Sequence, residues 1–221
     1  MPKVKMHKGS PSLDMTPMVD LAFLLVTFFM LTASFREAEP VTIDPPASHS
    51  DKLLPENYII VDVDALGRPF FGISNPEARE KTLDRMCQKY NVQLTDKQKK
   101  TFMGMSVFGV DVKDLPKYLS LQENERAKFK PQNGIPNDSL TPQLKEWILY
   151  AAQEANAVYL KAKEEAKSKG QEFKMEKPRY AIKSDQKTKY ISVKKVIDTF
   201  TDIKIYRFNL ITSLEGGSKK E

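Results

Sequence analysis

Between Met15 and Phe35 the 221-residue chain carries its one long apolar run, MTPMVDLAFLLVTFFMLTASF. A helix through it would be roughly 30 Å long, about the thickness of a bilayer's hydrocarbon core. The run holds a single ionisable residue, Asp20. A carboxylate costs roughly 3 kcal/mol at the centre of a membrane helix, so it normally faces protein or water there.

Two readings compete for this run. A cleaved signal peptide has an apolar region of about 7–15 residues and then a small-residue cleavage site. Here the run is longer, holds an Asp, and continues past Ala33-Ser34 into Phe35-Arg36-Glu37. An uncleaved membrane helix over 15–36 fits better. Thr16-Pro17 reads as its N-cap and first helical residue. Lys3, Lys5 and Lys8 precede it; after it, Arg36 and Lys52 stand among Glu37, Glu39, Asp44, Asp51 and Glu56. Counting the basic residues keeps the tail 1–14 in the cytoplasm and sends the rest outside, into the periplasm of a bacterium. Asp20 then lies in the cytoplasmic-side half of the helix. Asp20, Thr27 and Ser34 are spaced by sevens, and each such step turns a helix by only about 20°. With Thr16 one turn earlier they form a polar stripe suited to a partner helix or a water-lined path. The plainer alternative is an Asp reaching headgroups, with Thr and Ser bonding their own helix carbonyls.

Leu13-Asp14-Met15-Thr16-Pro17-Met18-Val19-Asp20, followed by the apolar run, resembles the start of the ExbD/TolR family of biopolymer transport proteins. The resemblance implies a short cytoplasmic tail, one membrane helix and a small periplasmic domain. It implies that Asp20 is the proton-carrying residue. It also implies that a segment after the helix, here Val41, Ile43, Asp44, Pro45 and Pro46, contacts partners and helps to hold the complex on or off. Asp44-Pro45 stands where the family tends to show Asn-Leu. An inert spacer remains the alternative for this segment.

Residues 37–57 read as a linker, rich in proline and poor in large apolar groups, with a short strand expected at Val41-Thr42-Ile43. Tyr58–Val63 and Pro69–Gly72 read as a hairpin around the turn Asp64–Arg68. Tyr180–Lys183 reads as a further strand. Val193, Val196, Ile197 and Phe200 mark one face of a helix, and Ile203–Ile211 reads as a closing strand. Segments 58–75 and 177–215 thus make an α/β domain like the family's, and 216–221 a disordered tail. Residues 76–176 read as helical throughout, a helical insertion. Asn75-Pro76 starts one helix, the capping box Thr95-x-x-Gln98 a second, and Thr141-Pro142 the longest. That last helix has an apolar face from Leu144 through Trp147, Ala151 and Val158, and Gly170 to stop it. The insertion is expected to own a core and to leave the remaining domain folded if removed.

The fold class is therefore a membrane-anchored α+β chain: one N-terminal transmembrane helix and a small periplasmic α/β domain with a helical insertion. The single cysteine, Cys87, rules out an intrachain disulfide and sits at a buried helical spacing. No His/Cys set can build a metal site, and no catalytic constellation is placed, so an enzyme is not expected. The +6 net charge is spread rather than clustered, which argues against nucleic-acid binding. By resemblance, the chain is an inner-membrane motor subunit driven by the proton motive force, single-pass and homodimeric. It needs no cofactor beyond protons as the coupling ion. Its expected partners are an ExbB-like multi-span ring and a TonB-like protein, with energised transport across the outer membrane as the outcome. The alternatives are a TolR-like envelope-maintenance subunit and a membrane-tethered periplasmic binding or scaffold protein.

Overall fold

The computed structural model describes residues 15–32, 43, 47–48, 57–126, 129, 134–138, 141–170, 172–211 and 213–214. They belong to two units, Met1–Arg36 and Glu37–Glu221. In the first, helix α1 spans Thr16–Thr32, and every residue of it is exposed. Its 17 residues rise about 26 Å. Among the described residues no helix is long and apolar enough to cross a membrane. Residues 33–36, the end of the expected span, lie outside the described residues, as do the tails 1–14 and 216–221.

The second unit is a small α+β domain on a mixed sheet. Strand β1 (Ala47–Ser48) pairs in parallel with β6 (Ser213–Leu214) as a separate two-stranded sheet. This strand follows Pro45-Pro46; of the strand expected at Val41-Thr42-Ile43, Val41 and Thr42 lie outside the described residues. β2 (Tyr58–Val63) and β3 (Pro69–Ile73) form an antiparallel hairpin with Val61 opposite Phe71. β4 (Arg179–Ser184) runs parallel to β2, and β5 (Asn209–Ile211) parallel to β4. The order β3-β2-β4-β5 puts β2 and β4 in the middle. Parallel neighbours need a crossover; helix α7 (Tyr190–Asp202) supplies it between β4 and β5.

The expected strand over Ile203–Ile211 shrinks to β5. After α7, Lys204 takes a left-handed φ of 63°. Ile205 N–H donates to Phe200 O at 2.9 Å, so the alternating Ile203 and Ile205 close the helix instead of extending. Phe208 packs on Phe200 at 5.8 Å between ring centroids, whereas Tyr206 is exposed.

Residues 76–176 are not helical throughout. They hold α2 (Pro76–Tyr90), α3 (Asp96–Gly104), α4 (Leu115–Ser120), α5 (Glu123–Arg126) and α6 (Gln143–Ser168). The caps follow the sequence: Asn75 Oδ1 accepts from Ala78 N–H at 3.0 Å, and Thr95 and Gln98 close a reciprocal capping box. Between α3 and α4 the chain extends instead. Phe108 exchanges backbone hydrogen bonds of 2.8 and 2.9 Å with Phe71, covering the outer edge of β3. Gly109 permits the approach, because a Cβ there would lie 2.2 Å from the Phe70 ring.

Nor do these helices own a separate core. One cluster joins Ile59, Val61, Phe71 and Ile182 of the sheet to Leu83 and Met86 of α2, Leu144, Trp147 and Ile148 of α6, and Val196 and Phe200 of α7. Trp147 is its hub, with ring centroids 4.9 Å from Phe108, 5.9 Å from Phe71 and 6.2 Å from Phe102. The apolar face expected on the long helix is thus real, but it covers the sheet. Arg79 reinforces the join: its guanidinium donates to Ile73 O at the end of β3, to Met103 O (2.7 Å) in the last turn of α3 and to Met105 O (2.8 Å) just after it.

Candidate functional site

The residues singled out by sequence fall in different places. Asp20 lies in the second turn of α1 and is exposed. Thr27 follows two turns on, about 10 Å along the axis and nearly in line. Thr27 Oγ1 donates to Leu24 O at 3.0 Å, the self-bonding expected of a helix threonine. Thr32 does the same to Phe28 O at 2.8 Å. Each hydroxyl therefore gives its proton to its own helix and keeps its oxygen as an acceptor. Thr16 opens the helix, one turn before Asp20; Ser34 lies outside the described residues. Apart from Asp20 and these threonines, the exposed surface of α1 is Met, Val, Leu, Ala and Phe with one Pro. A lone carboxylate on an otherwise apolar helix needs a polar partner or water at its side wherever the rest of the helix is desolvated.

Of the linker residues, Ile43 is buried at 6% exposure in the second unit; Val41, Asp44, Pro45 and Pro46 lie outside the described residues. Among the described residues no group of three His, Cys, Asp or Glu side chains could hold a metal ion. Cys87 is buried and lines a cleft of about 620 Å³, together with Asp84 and Lys99. Burial, with Asp84 adding and Lys99 opposing, pushes its thiol up to about 11. A thiol so placed stays protonated at neutral pH and is a poor nucleophile. A second cleft, about 420 Å³, opens between the start of α6 and α7 around Asn137, Lys145, Lys195 and Asp198. It is lined by ordinary surface groups, including the Lys145–Asp202 ion pair at 2.9 Å.

Sequence reasoning missed the Arg79 clamp and the extended stretch at Phe108. Arg79 stands in the first turn of a surface helix, where an arginine reads as solvated. The Val107-Phe108-Gly109 stretch is too short to register as a strand.

With the carboxylate-bearing apolar helix ahead of a small α+β domain, one comparison decides the family. A family model described as biopolymer transport protein ExbD/TolR matches residues 6–215, from before α1 to β6. The chain belongs to the ExbD/TolR family. No curated protein matches it, and no solved structure does. As a member it is a subunit of a biopolymer-transport or envelope system; ExbD/TolR proteins typically work in membrane complexes and are not enzymes.

Proposed function

We propose that this ExbD/TolR chain is a single-pass inner-membrane motor subunit that uses proton flow to energise transport across the outer membrane. The observation that carries the reading is Asp20, the one ionisable group on a helix with an apolar exposed surface, inside a family match that begins before it. In this reading α1 and residues beyond Thr32 span the bilayer with the tail 1–14 in the cytoplasm. Two copies sit within an ExbB-like ring of multi-span subunits, and a TonB-like protein receives the work.

The chemistry is a change of charge, not of covalent bonds. Ionised Asp20 is driven toward polar groups or water on the ring helices, since an unpaired carboxylate in hydrocarbon is costly. Once protonated, the same side chain tolerates apolar neighbours. Alternation between the two states, biased by the proton gradient, moves α1 against its ring. Thr27, with its proton bonded to Leu24 O, offers an acceptor to a neutral Asp20 only through water or a partner group, being two turns away. Protons are the coupling ion, and no other cofactor enters. Displacement reaches the domain through residues 37–57.

Asp20→Asn tests this reading. Asparagine keeps the size and hydrogen bonding but cannot carry a proton. The variant is expected to insert and to co-purify with its ring subunit, with energised uptake reduced to the level of a strain lacking the chain. Near-normal uptake by Asp20→Asn would sink the proton-carrying role.

A further inference from the structure

One end of the domain's sheet exposes large apolar side chains that neither the core nor the motor reading uses. Leu66, in the β2–β3 turn, is 77% exposed; Tyr190 and Ile191, at the start of α7, are 73% and 68% exposed. They are parts of one surface, because the turn and the helix start touch. Gly67, at φ +80°, lies so close to α7 that a Cβ would fall 2.3 Å from Ser192 Oγ. Thr188 Oγ1 donates to Asp64 O at 2.8 Å.

The charges around this tip are mostly positive. Lys187, Lys189, Lys194 and Lys195 are exposed, and none is ion-paired among the described residues. Of the nearby carboxylates, Asp64 is buried against Arg68 at 2.5 Å, Asp185 accepts from Lys187 N–H at 2.8 Å, and Asp198 is exposed further along α7, so the lysines outnumber the negative charges. The first turn of α7 has no acidic residue and no side-chain cap, so its dipole adds to the positive field. Whatever covers the tip must be negative and must receive a tyrosine and two aliphatic side chains. Of the tip residues only Lys195 lines a cleft described above; Leu66, Tyr190 and Ile191 line neither and stand exposed. Protruding apolar side chains ringed by lysines match a bilayer interface, where the apolar groups enter the acyl boundary and the ammonium groups meet phosphates.

We infer that the tip formed by Leu66, Tyr190 and Ile191 with its lysines docks on an anionic phospholipid surface. The inference rests on the anchored reading only in that the anchor keeps the domain near a bilayer. Docking would give the domain a second, reversible hold on the membrane, weakened by salt.

The test uses the full chain in lipid nanodiscs carrying nitroxide-labelled acyl chains. A fluorophore is attached through Leu66→Cys in a Cys87→Ser background, and a control fluorophore through Ala157→Cys on the exposed side of α6. Quenching at position 66, but not 157, is expected in discs containing phosphatidylglycerol and not in pure phosphatidylcholine. Lys187→Glu with Lys189→Glu and Lys194→Glu is expected to weaken docking on the order of a hundredfold. No quenching at 66 in either disc overturns the inference. So does quenching that survives the triple reversal, or coverage of position 66 only when an acidic protein partner is added. Failure of the chain to enter discs at all would count against the anchor instead; cosedimentation of the same chain with anionic vesicles then decides the tip by itself.

Discussion

Among the described residues the two longest helices follow opposite rules. α6 has 26 residues, and its buried positions, from Leu144 through Trp147 and Ala151 to Val158, recur at helical spacing. Its remaining surface mixes Lys and Glu with Ala, Leu and Tyr. α1 has 17 residues, almost all apolar, and none is buried. A helix in water hides one stripe and shows the other. A helix that is apolar all round is written for a solvent other than water, or for partner helices. The pattern of α6 is explained by the sheet it covers; the pattern of α1 marks no stripe to hide and none to show.

That contrast can be broken most drastically by deletion. Replacing 77–176 with a short Gly/Ser link removes α6 with the rest of the cover and uncovers Ile59, Val61, Phe71 and Ile182. The remainder is expected to lose its cooperative unfolding transition by circular dichroism. A sharp melt of the shortened domain would mean that the sheet carries its own core.

A single substitution sharpens the same point. Trp147→Ala is expected to destabilise the domain by about 3–5 kcal/mol in urea denaturation, since it empties the centre of the aromatic cluster. Phe23→Ala on α1 is expected to leave that transition unmoved. Equal effects from the two would erase the distinction between the helices.

Local devices should count for less than burial. Thr95→Ala removes the capping box of α3 and is expected to cost about 1 kcal/mol by the same measurement. A cost approaching that of Trp147→Ala would show that caps, not the shared core, hold the helical cover in place.

The smallest effect is a titration. Burial raises the Cys87 thiol from 9.0 to about 11. The folded protein therefore keeps a proton that the unfolded chain gives up. This contribution is complete below about pH 9 and is lost as the pH climbs toward 11. Between about pH 8 and about pH 10, Cys87→Ser is expected to lose less stability than the parent, by at most about 1 kcal/mol. Tyr118 and Tyr180, also raised by burial, shift both proteins alike. Identical alkaline profiles would place Cys87 in contact with water.

Much of this was legible because it is local. Asn75-Pro76 and Thr95-x-x-Gln98 cap by side chains within three residues, and the Asp64–Arg68 turn closes on itself. The face of α6 was readable too, but not what it meets: amphipathy says that a stripe is buried and nothing about its partner. For that reason the helices of 76–176 read as a module, although Trp147 packs on Phe71 of the sheet. Ile203 and Ile205 alternate as a strand would, but the bond from Ile205 N–H to Phe200 O, which only the fold supplies, makes them a helix exit. Asp20 was legible for the opposite reason. Its apolar surroundings are contiguous in sequence, so its oddness needs no tertiary structure to be seen.

The place of β2 in the sheet has a mechanical consequence. The central strand β2 follows closely on β1 in the chain. Tension applied ahead of Tyr58 meets first the two-residue pairing of β1 with β6, a clasp with few hydrogen bonds to break. Behind it, β2 is gripped along its length by β3 on one side and β4 on the other. A pull that opens the clasp lengthens the tether, while the same pull on β2 is shared across both neighbours at once. A load on the N-terminal side of the domain therefore opens β1 from β6 before it strips β2 from its neighbours.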